Sequence, residues 1–280
     1  TFLNNMSSEI VTDNLCAEAL LARINEHLED NQASSHRGHL GGSEIGHKCK
    51  RALWYKFRHW ALFKHEGRLL RLFERGHLEE FRFVKYLQDI GIEVQELDPS
   101  TGKQWQIEDA HGHFGGSFDG IAWINGQKLL LEMKTHSHKS FTGVKNNGVL
   151  QSKPQHWDQM QVYMHKAGLS SALYMAANKN DDELYLEIVP CVPFEGQDLI
   201  KKAFEIIGAP SPDNFERIGL DEQSFDCKWC DFKGHCWGNL KPEVNCRTCR
   251  HSFPARDGQW GCTAGTFGNV CQNHNQIEDH

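Results

Sequence analysis

Two acidic residues and a lysine are brought together by a predicted hairpin. The dipeptide Asn125-Gly126 separates two strand-like runs and is a strong signal for a two-residue turn. Counting outward from that turn places Asp119 directly opposite Glu132, with Cβ atoms roughly 4.5–5.5 Å apart. Lys134 lies two residues beyond Glu132 and shares its face, because side chains alternate along a strand. The sequence therefore predicts a compact group of two carboxylates and one ammonium.

Such a group is suited to metal-assisted chemistry on a phosphate. Two directly opposed carboxylates repel each other, and a divalent cation between them reverses that interaction. Carboxylate oxygens suit Mg²⁺ or Mn²⁺, and Lys134 could orient or deprotonate a water or stabilise charge on a phosphate. The alternative is a solvated hairpin in which Lys134 and neighbouring lysines offset the acids, as in many structural ion-pair networks.

A helix predicted over 66–89 carries two polar residues on an otherwise apolar stripe. His77 and Glu80 occupy this stripe, which we expect to face inward. Polar groups buried there need partners, and a metal site would supply them. The alternative is a satisfied His–Glu pair at i, i+3 spacing. The apolar members of the stripe are Phe73, Val84 and Leu87.

The helix predicted over 155–166 adds a further polar pair. Pro154 suits its first position, and Gln159 and Tyr163 lie on one side as i, i+4 neighbours. As an isolated pair they equally suit core packing with a polar tip.

Charge is distributed unevenly along the chain. The net charge of −7 and the isoelectric point of 6.2 argue against a protein that coats nucleic acid generically. Residues 36–90, however, hold twelve Lys/Arg against six Asp/Glu, and residues 134–155 hold four lysines and no acid. A polyanion could therefore be bound locally. Lys139, Lys145 and Lys153 are the candidate phosphate contacts, and the alternative for them is a solvated basic loop.

Ten cysteines suggest metal sites, because no export signal precedes them and clustered thiols in a reducing compartment more often bind metal than form disulfides. The four thiolates within 246–271 predict a small zinc site, at Cys246, Cys249, Cys262 and Cys271. A rival grouping is a zinc ribbon formed by the C-x₂-C pairs at 227–230 and 246–249. The ribbon would leave Cys49, Cys236, Cys262 and Cys271 without a common site.

The elements that must position these residues alternate between helices and strands. Helices are predicted at 9–30, from near Ser43, and at 196–207, with strands at 92–97, 104–108, 118–124, 127–134, 172–177 and 184–190. This order predicts an α/β fold with a mixed central sheet flanked by helices. The predicted segments are 1–42 (helix and linker), 43–240 (catalytic domain) and 241–280 (cysteine-rich tail). No apolar stretch reaches 18 residues and no secretion leader is recognisable, so we expect a cytoplasmic protein without a membrane partner.

Taken in order, these segments resemble the PD-(D/E)XK nuclease superfamily and, within it, the RecB-like exonucleases. The resemblance covers about residues 43–237 and implies a restriction-endonuclease-like core. Each motif alone is permissive, and the ordered set is fairly specific. The matching segments are Gly76-His77-Leu78-Glu79-Glu80, Gly116-Ser117-Phe118-Asp119-Gly120, Glu132-Met133-Lys134 and Gln159-Met160-Gln161-Val162-Tyr163.

The resemblance implies a role for each of these residues. Asp119, Glu132 and the backbone carbonyl of Met133 would bind Mg²⁺ or Mn²⁺, and His77 matches the metal-binding histidine of iron–sulfur members of the family. Glu80 matches the helical acid of the family. Lys134 would position the hydrolytic water. Gln159 and Tyr163 would hold the DNA backbone or order the site.

The resemblance also implies a [4Fe–4S] cluster on Cys49 and on Cys227-x₂-Cys230-x₅-Cys236, which would tie the N-terminal helices to the C-terminus. The implied function is a DNA exonuclease in recombination, repair or degradation, for which we favour a phage origin. Any helicase or recombination partner would be a separate chain. The alternatives are a non-catalytic DNA-binding or assembly module with this fold, and a metal- or redox-sensing regulator.

Overall fold

A computed structural model describes residues 16–34 and 36–279 of the chain. Contacts divide it into two compact units. Among the described residues, the first comprises 16–34 and 63–78, and the second comprises 36–62 and 79–279. Of the helix predicted over 9–30, residues 9–15 lie outside the described residues. Within the described residues, no helix has the length and apolar character needed to cross a membrane.

The first unit contains helix α1 (Ala17–Asp30) and the beginning of helix α3 (Gly67–Asp89). Polar contacts join its parts. Glu29 accepts a hydrogen bond from the backbone N–H of Gly67 at 2.7 Å, and Arg71 donates to Oδ1 of Asn25 at 2.6 Å. None of the α1 residues is buried, so this unit relies on such bonds more than on an apolar core.

The second unit contains the other helices and the β-strands of the described chain. Its helices, besides the end of α3, are α2 (Lys50–Phe57), α4 (His138–Ser152), α5 (Pro154–Ala167), α6 (Glu195–Gly208), α7 (Phe225–Lys228) and α8 (Lys233–Cys236). Its strands are β1 (Leu40–Gly41), β2 (Glu93–Gln95), β3 (Leu97–Asp98), β4 (Lys103–Asp109), β5 (Phe114–Phe118), β6 (Gly120–Ile124), β7 (Gln127–His136), β8 (Ser171–Asn178), β9 (Leu184–Pro190), β10 (Ser252–Pro254) and β11 (Trp260–Cys262).

A five-stranded sheet in the order β2-β6-β7-β8-β9 organises this unit. β7 and β8 are parallel and the other neighbouring strands are antiparallel. Parallel neighbours need a long crossover, and α4 and α5 provide it. A second sheet has the order β1-β5-β4-β3, and β10 and β11 form a hairpin in the tail. The predicted mixed α/β architecture with flanking helices is present.

The two faces of β7 have different environments. Its odd-numbered residues Leu129, Leu131 and Met133 pack into an apolar core with Phe83, Val84 and Leu87 of α3. Because side chains alternate, the even-numbered residues Leu130, Glu132, Lys134 and His136 lie on the opposite face, and Gln159 of α5 bonds Glu132 there. The polar half of β7 is thus separated from the apolar core by the sheet itself.

Three predicted elements differ from the structure. α2 begins at Lys50 rather than near Ser43, because the Cys49 thiol caps it by accepting a bond from the N–H of Ala52 at 3.4 Å. The strand predicted over 118–124 is split at Asp119 into β5 and β6. The basic segment after β7, for which a solvated loop was an alternative, forms helix α4, with Gly148 at φ +73° marking a kink.

The prediction that one stripe of α3 faces inward is also wrong for the first half of the helix. Phe73 is 45% exposed and His77 is exposed, whereas Val84 and Leu87 are buried as predicted. The buried side of the helix after residue 78 instead begins at Glu79, continues at Phe83, and includes Val84 and Leu87. The helix serves both compact units, so a single stripe does not run along its whole length.

The cysteine-rich tail packs against α2 through two buried arginines. Arg58 donates to the carbonyls of Arg247 and Ser252, and Arg247 donates to the carbonyl of Phe57 at 3.0 Å. The Trp260 ring lies against both guanidinium groups. Burial lowers the pKa of Arg58 and of Arg247 to about 10. Backbone carbonyls rather than acids solvate these cations and hold the tail to the end of α2.

Candidate active site

The predicted hairpin and its register are present. Asn125 and Gly126 have φ angles of +50° and +78°, as a two-residue turn with both central residues in the left-handed region requires. The pairs run from Ile124↔Gln127 to Gly120↔Leu131. Asp119 is the next residue beyond this ladder, on the side facing Glu132.

Asp119 bonds to the neighbouring strand through its side chain. Its Oδ2 accepts a hydrogen bond from the backbone N–H of Met133 at 2.7 Å. The chain bends here, because Gly120 has a φ of +155°, a backbone conformation that glycine adopts readily. This bend ends the ladder and holds the Asp119 carboxylate at the strand that carries Glu132.

Glu132 is fully buried and has polar partners on both sides. Its Oε1 contacts the ammonium of Lys134, and its Oε2 accepts a hydrogen bond from Nε2 of Gln159 at 2.9 Å. Gln159 is itself buried. The Glu132 carboxylate is therefore oriented by one residue of its own strand and one residue of α5.

The electrostatics of this group are set by burial and by the convergence of acids. Burial raises the pKa of Glu132, and the charges of Asp119 and Glu80 raise it further, although Lys134 opposes them. Burial lowers the pKa of Lys134, but the carboxylates of Glu132 and Asp119 outweigh burial, so its pKa is raised overall. The ammonium is held charged, and the carboxyl group retains a proton more readily than an exposed glutamate does.

Tyr163 packs closely against the backbone at Gly42 and Gly116. It is buried, and a Cβ added at Gly42 would lie 2.6 Å from its Cε1 atom. A Cβ at Gly116 would meet its hydroxyl. Burial raises the pKa of Tyr163, and the Glu132 charge adds to the shift. Gly42 and Gly116 thus leave room for a tyrosine one helical turn beyond Gln159.

The remaining predicted residues have separate surroundings. Glu80 acts electrostatically on Glu132 and Lys134, and His77 is exposed in the first unit. Lys139 is exposed and Lys145 pairs with Glu183. Lys153 is partly buried, and burial lowers its pKa.

The sequence-based reasoning missed a cluster further along the same face. His136 follows Glu132 and Lys134 at the two-residue period of β7, and its Nε2 lies 2.7 Å from the hydroxyl of Tyr174. His156 of α5 contacts the same hydroxyl through Nδ1 at 3.0 Å. The alternation Glu132-x-Lys134-x-His136 was the signal that could have identified His136.

Four of the predicted cysteine ligands line one cavity. Cys49, Cys227, Cys230 and Cys236 surround it together with Tyr55 and other residues. Burial raises the pKa of Cys49, and Cys236 and Cys227 raise it further. Cys49 lies far from the other three in sequence, yet it is within electrostatic reach of them. Neither Cys246 nor Cys249 lines this cavity, which disfavours the zinc-ribbon grouping.

The tail cysteines lie around the β10–β11 hairpin. Cys249 is buried and its Sγ accepts a bond from the N–H of Asn275 at 3.3 Å. Cys246 precedes it in a 3₁₀ turn, Cys262 pairs with Ser252 in the hairpin, and Cys271 is exposed. Across residues 16–34 and 36–279, no group of three or more His, Cys, Asp or Glu side chains is arranged so that it could hold a metal ion.

Comparisons with known proteins yield structural likeness only. No family model matches the chain, and no curated protein matches it. A solved structure of SSO0001 is 16% identical, with a TM-score of 0.46 and coverage of 78% of this chain and 94% of that one. LHK-Exo in complex with dAMP is 17% identical, with a TM-score of 0.43 and coverage of 60% and 86%.

A second structure of LHK-Exo, an alkaline exonuclease from Laribacter hongkongensis, is 17% identical, with a TM-score of 0.42 and coverage of 65% and 90%. All three TM-scores lie below 0.5.

Proposed function

We propose that the chain is a metal-dependent DNA nuclease that hydrolyses phosphodiester bonds, most simply as an exonuclease at DNA ends. The observation that carries the proposal is the buried Glu132 carboxylate, which meets Lys134 and Gln159 while the charges of Asp119 and Glu80 act on it. Keeping acids together at a buried position is costly unless a cation compensates them. The choice of DNA ends as the substrate follows from the resemblance of the motifs to those of RecB-like exonucleases.

The donor set fits a hard divalent cation. Asp119 and Glu132 offer carboxylate oxygens, and the Met133 carbonyl belongs to the residue whose N–H already binds Asp119. Oxygen ligands of this kind suit Mg²⁺ or Mn²⁺. The two carboxylates would be the anionic ligands, Glu80 would add negative charge nearby, and His77 stays a ligand predicted from the resemblance.

Each of the site residues has a separate task in the proposed reaction. Lys134 keeps its ammonium charged and can position a water or a phosphate oxygen. Gln159 holds the Glu132 carboxylate in orientation, and Tyr163 orders the adjoining backbone at Gly42 and Gly116. When bound, the metal would lower the pKa of a water and polarise the phosphodiester.

Replacement of the acid and the lysine tests this proposal. Glu132→Gln and Lys134→Met keep the size of each side chain, and we expect each to lower Mg²⁺- or Mn²⁺-dependent cleavage of end-labelled DNA by about 10³-fold or more. Lys201→Ala is the matched control, because this lysine of α6 is exposed and pairs with Asp198 of the same helix. Wild-type rates in both site variants, with intact circular dichroism, would refute the assigned site.

The thiol cavity is proposed to hold a [4Fe–4S] cluster. A cluster of four irons is larger than a single ion and separates its ligands more widely, so a cavity lined by Cys49, Cys227, Cys230 and Cys236 suits it. Anaerobically purified protein should be brown and contain about four irons and four sulfides per chain. A colourless protein that carries only zinc would contradict this assignment.

The tail is proposed to bind one Zn²⁺ through Cys246, Cys249, Cys262 and Cys271. Cys262 lies in the β10–β11 hairpin and Cys246 and Cys249 lie in and beside the 3₁₀ turn before it, and the short tail has little core with which to fold alone. We expect one zinc per chain by elemental analysis, and Cys262→Ser should remove it while leaving the iron content unchanged. Retention of zinc in this variant would exclude Cys262 as a ligand.

A further inference from the structure

The polar face of β7 continues beyond the proposed catalytic residues. His136 is buried, and its Nε2 lies 2.7 Å from the Tyr174 hydroxyl, which also lies 3.0 Å from Nδ1 of His156. The two imidazole rings are stacked, with centroids 5.8 Å apart and planes 12° apart. One phenol therefore joins a histidine of the sheet to a histidine of α5.

The place of this cluster follows from the strand pairing. Tyr174 of β8 is the register partner of Glu132, and Asn178 is the partner of His136. Side chains of paired residues in adjacent strands share a face. Glu132, Lys134 and His136 succeed one another on that face at about 7 Å intervals. The cluster thus lies next to the proposed catalytic group, on the Lys134 side.

A phenol that lies between two imidazoles gives the hydrogen bonds a direction. The single hydroxyl proton can be donated to one ring only, so the other ring must donate to the phenolic oxygen. Burial lowers the pKa of His136 to about 4 and of His156 to about 3, so both rings are neutral at pH 7. When Tyr174 donates to Nδ1 of His156, the His156 proton is on Nε2, the nitrogen that this network does not use.

The charges around the cluster are mainly positive. Besides burial, the lysine charges acting on His156 come from Lys134 and Lys153, and those acting on His136 come from Lys153, Lys179 and Lys134. The acids that act on Tyr174 are Glu132 and Glu187. Glu132 is paired with Lys134, and Glu187 accepts bonds from the Val149 N–H and the Tyr185 hydroxyl.

Lys153 is the cation that this arrangement leaves available. It is only partly buried and, within the described part of the chain, makes no ion pair, whereas Lys145 pairs with Glu183. His156 is likewise partly exposed. A partly desolvated ammonium beside an imidazole N–H is a donor set for a phosphate oxygen.

We propose that Lys153 and His156 bind a backbone phosphate of the DNA next to the catalytic face, with Tyr174 and His136 as positioning residues that fix the His156 ring. This inference rests on the proposed function, because it takes the bound polyanion to be the substrate strand. A phosphate oxygen accepts hydrogen bonds and does not donate them. Its presence therefore selects the arrangement in which Tyr174 donates to His156 and Nε2 carries the proton.

Binding without catalysis provides the test. The full chain is titrated with fluorescein-labelled single- and double-stranded DNA in EDTA, and anisotropy gives Kd at several KCl concentrations. We expect Lys153→Ala and His156→Ala to weaken binding by about 5- to 20-fold. Lys153→Ala should also reduce the slope of log K against log salt by about 1. Lys201→Ala is the control and should match the wild type.

Two milder variants separate positioning from general damage. His156→Gln retains an N–H donor and should recover most of the affinity lost in His156→Ala. Tyr174→Phe leaves both phosphate contacts in place and only releases the ring, so Kd should rise by about two- to fivefold with an unchanged salt slope. Tyr174→Phe with wild-type affinity would remove the positioning role.

The outcomes distinguish this inference from the proposed function. If Lys153→Ala and His156→Ala both bind DNA as Lys201→Ala does, or if the wild type does not bind DNA in EDTA, the phosphate contact is wrong. If the wild type binds DNA through these residues but does not cleave it with Mg²⁺ or Mn²⁺, the contact stands and the nuclease proposal fails.

Discussion

The carboxylate face (Asp119, Glu132 and Lys134) and the thiol cavity are both rich in potential ligands, but they are held in different ways. At the carboxylate face, Asp119, Glu132 and Gln159 are fixed by hydrogen bonds of 2.7 and 2.9 Å on a five-stranded sheet. At the cavity, Cys49 caps α2, and the other thiols lie on or beside the four-residue helices α7 and α8. The protein itself organises the first site, whereas we expect the second to depend on the proposed cluster for cohesion.

Removal of the divalent cation should have the largest effect on activity and almost none on the fold. We expect EDTA to lower DNA cleavage by about 10³-fold or more, because the metal supplies several kcal/mol of transition-state stabilisation. The visible absorbance of the cluster and the melting temperature should stay within error, and added Mn²⁺ should restore cleavage. Loss of the absorbance together with activity would show that the two sites are not independent in this way.

Removal of one thiol should have the opposite pattern. Cys49→Ser should lose iron and lower the melting temperature by about 5–10 °C, because the proposed cluster would link α2 to the segment after α6. Cys191→Ser is the matched control, since Cys191 does not line the cavity. Iron analysis and a thermal melt check the prediction, which is wrong if both variants keep the same iron content and melting temperature.

This contrast also explains what the sequence could predict. The Asn125–Gly126 turn fixes a local register, so the approach of Asp119 to Glu132 followed from counting residues. The convergence of Cys49 with Cys227 depends on contacts across the whole second unit, and only the resemblance to a family suggested it. The zinc ribbon fits a standard spacing, and the two-site grouping was preferred to it because that grouping uses eight of the ten cysteines.

The errors have the same origin in non-local contacts. His136 and Tyr174 meet because β7 and β8 are parallel neighbours across a long crossover, which no short window of sequence reveals. Helix α4 has few buried apolar residues, which are Phe141, Val144 and Val149, and Gly148 kinks it. Its sequence therefore shows no continuous apolar stripe. The exposed Phe73 and His77 lie on a helix shared by two compact units, where one periodic pattern serves two environments.

A pH series sharpens the comparison at the carboxylate face. The folded pKa of Glu132 is raised above its ordinary value, mainly by burial and then by Asp119 and Glu80. Because a metal ligand must lose its proton, Mn²⁺ affinity should rise with pH, by up to about tenfold per unit below the folded pKa. Calorimetric titration between pH 5.5 and about 8 measures this, and a pH-independent affinity would contradict it.

The stability of the metal-free protein should show the opposite dependence. Between the ordinary pKa of Glu132 and its raised folded value, the folded state binds more protons than the unfolded state, so the free energy of unfolding falls as pH rises. Glu132→Gln removes this titration and should flatten that part of the curve. Thermal melts in EDTA check the slope, and an unchanged slope in the variant would assign the titration to another group.

The smallest expected effect concerns the turn that sets the register. Gly126 has a φ of +78° and no atom lies within 4 Å of an added Cβ, so Gly126→Ala is opposed only by the backbone conformation. We expect a loss of about 1 kcal/mol in the free energy of unfolding, or about 2–4 °C in melting temperature. Gly208→Ala is the control, because Gly208 has equal space at the end of α6 and a φ outside the left-handed region.

Since the Gly120↔Leu131 end of the hairpin is also held by Asp119 and Met133, cleavage by Gly126→Ala should stay within about twofold of the wild type. A large loss of cleavage in Gly126→Ala, with no comparable loss of stability, would show that the carboxylate face depends on the turn more than on its own hydrogen bonds.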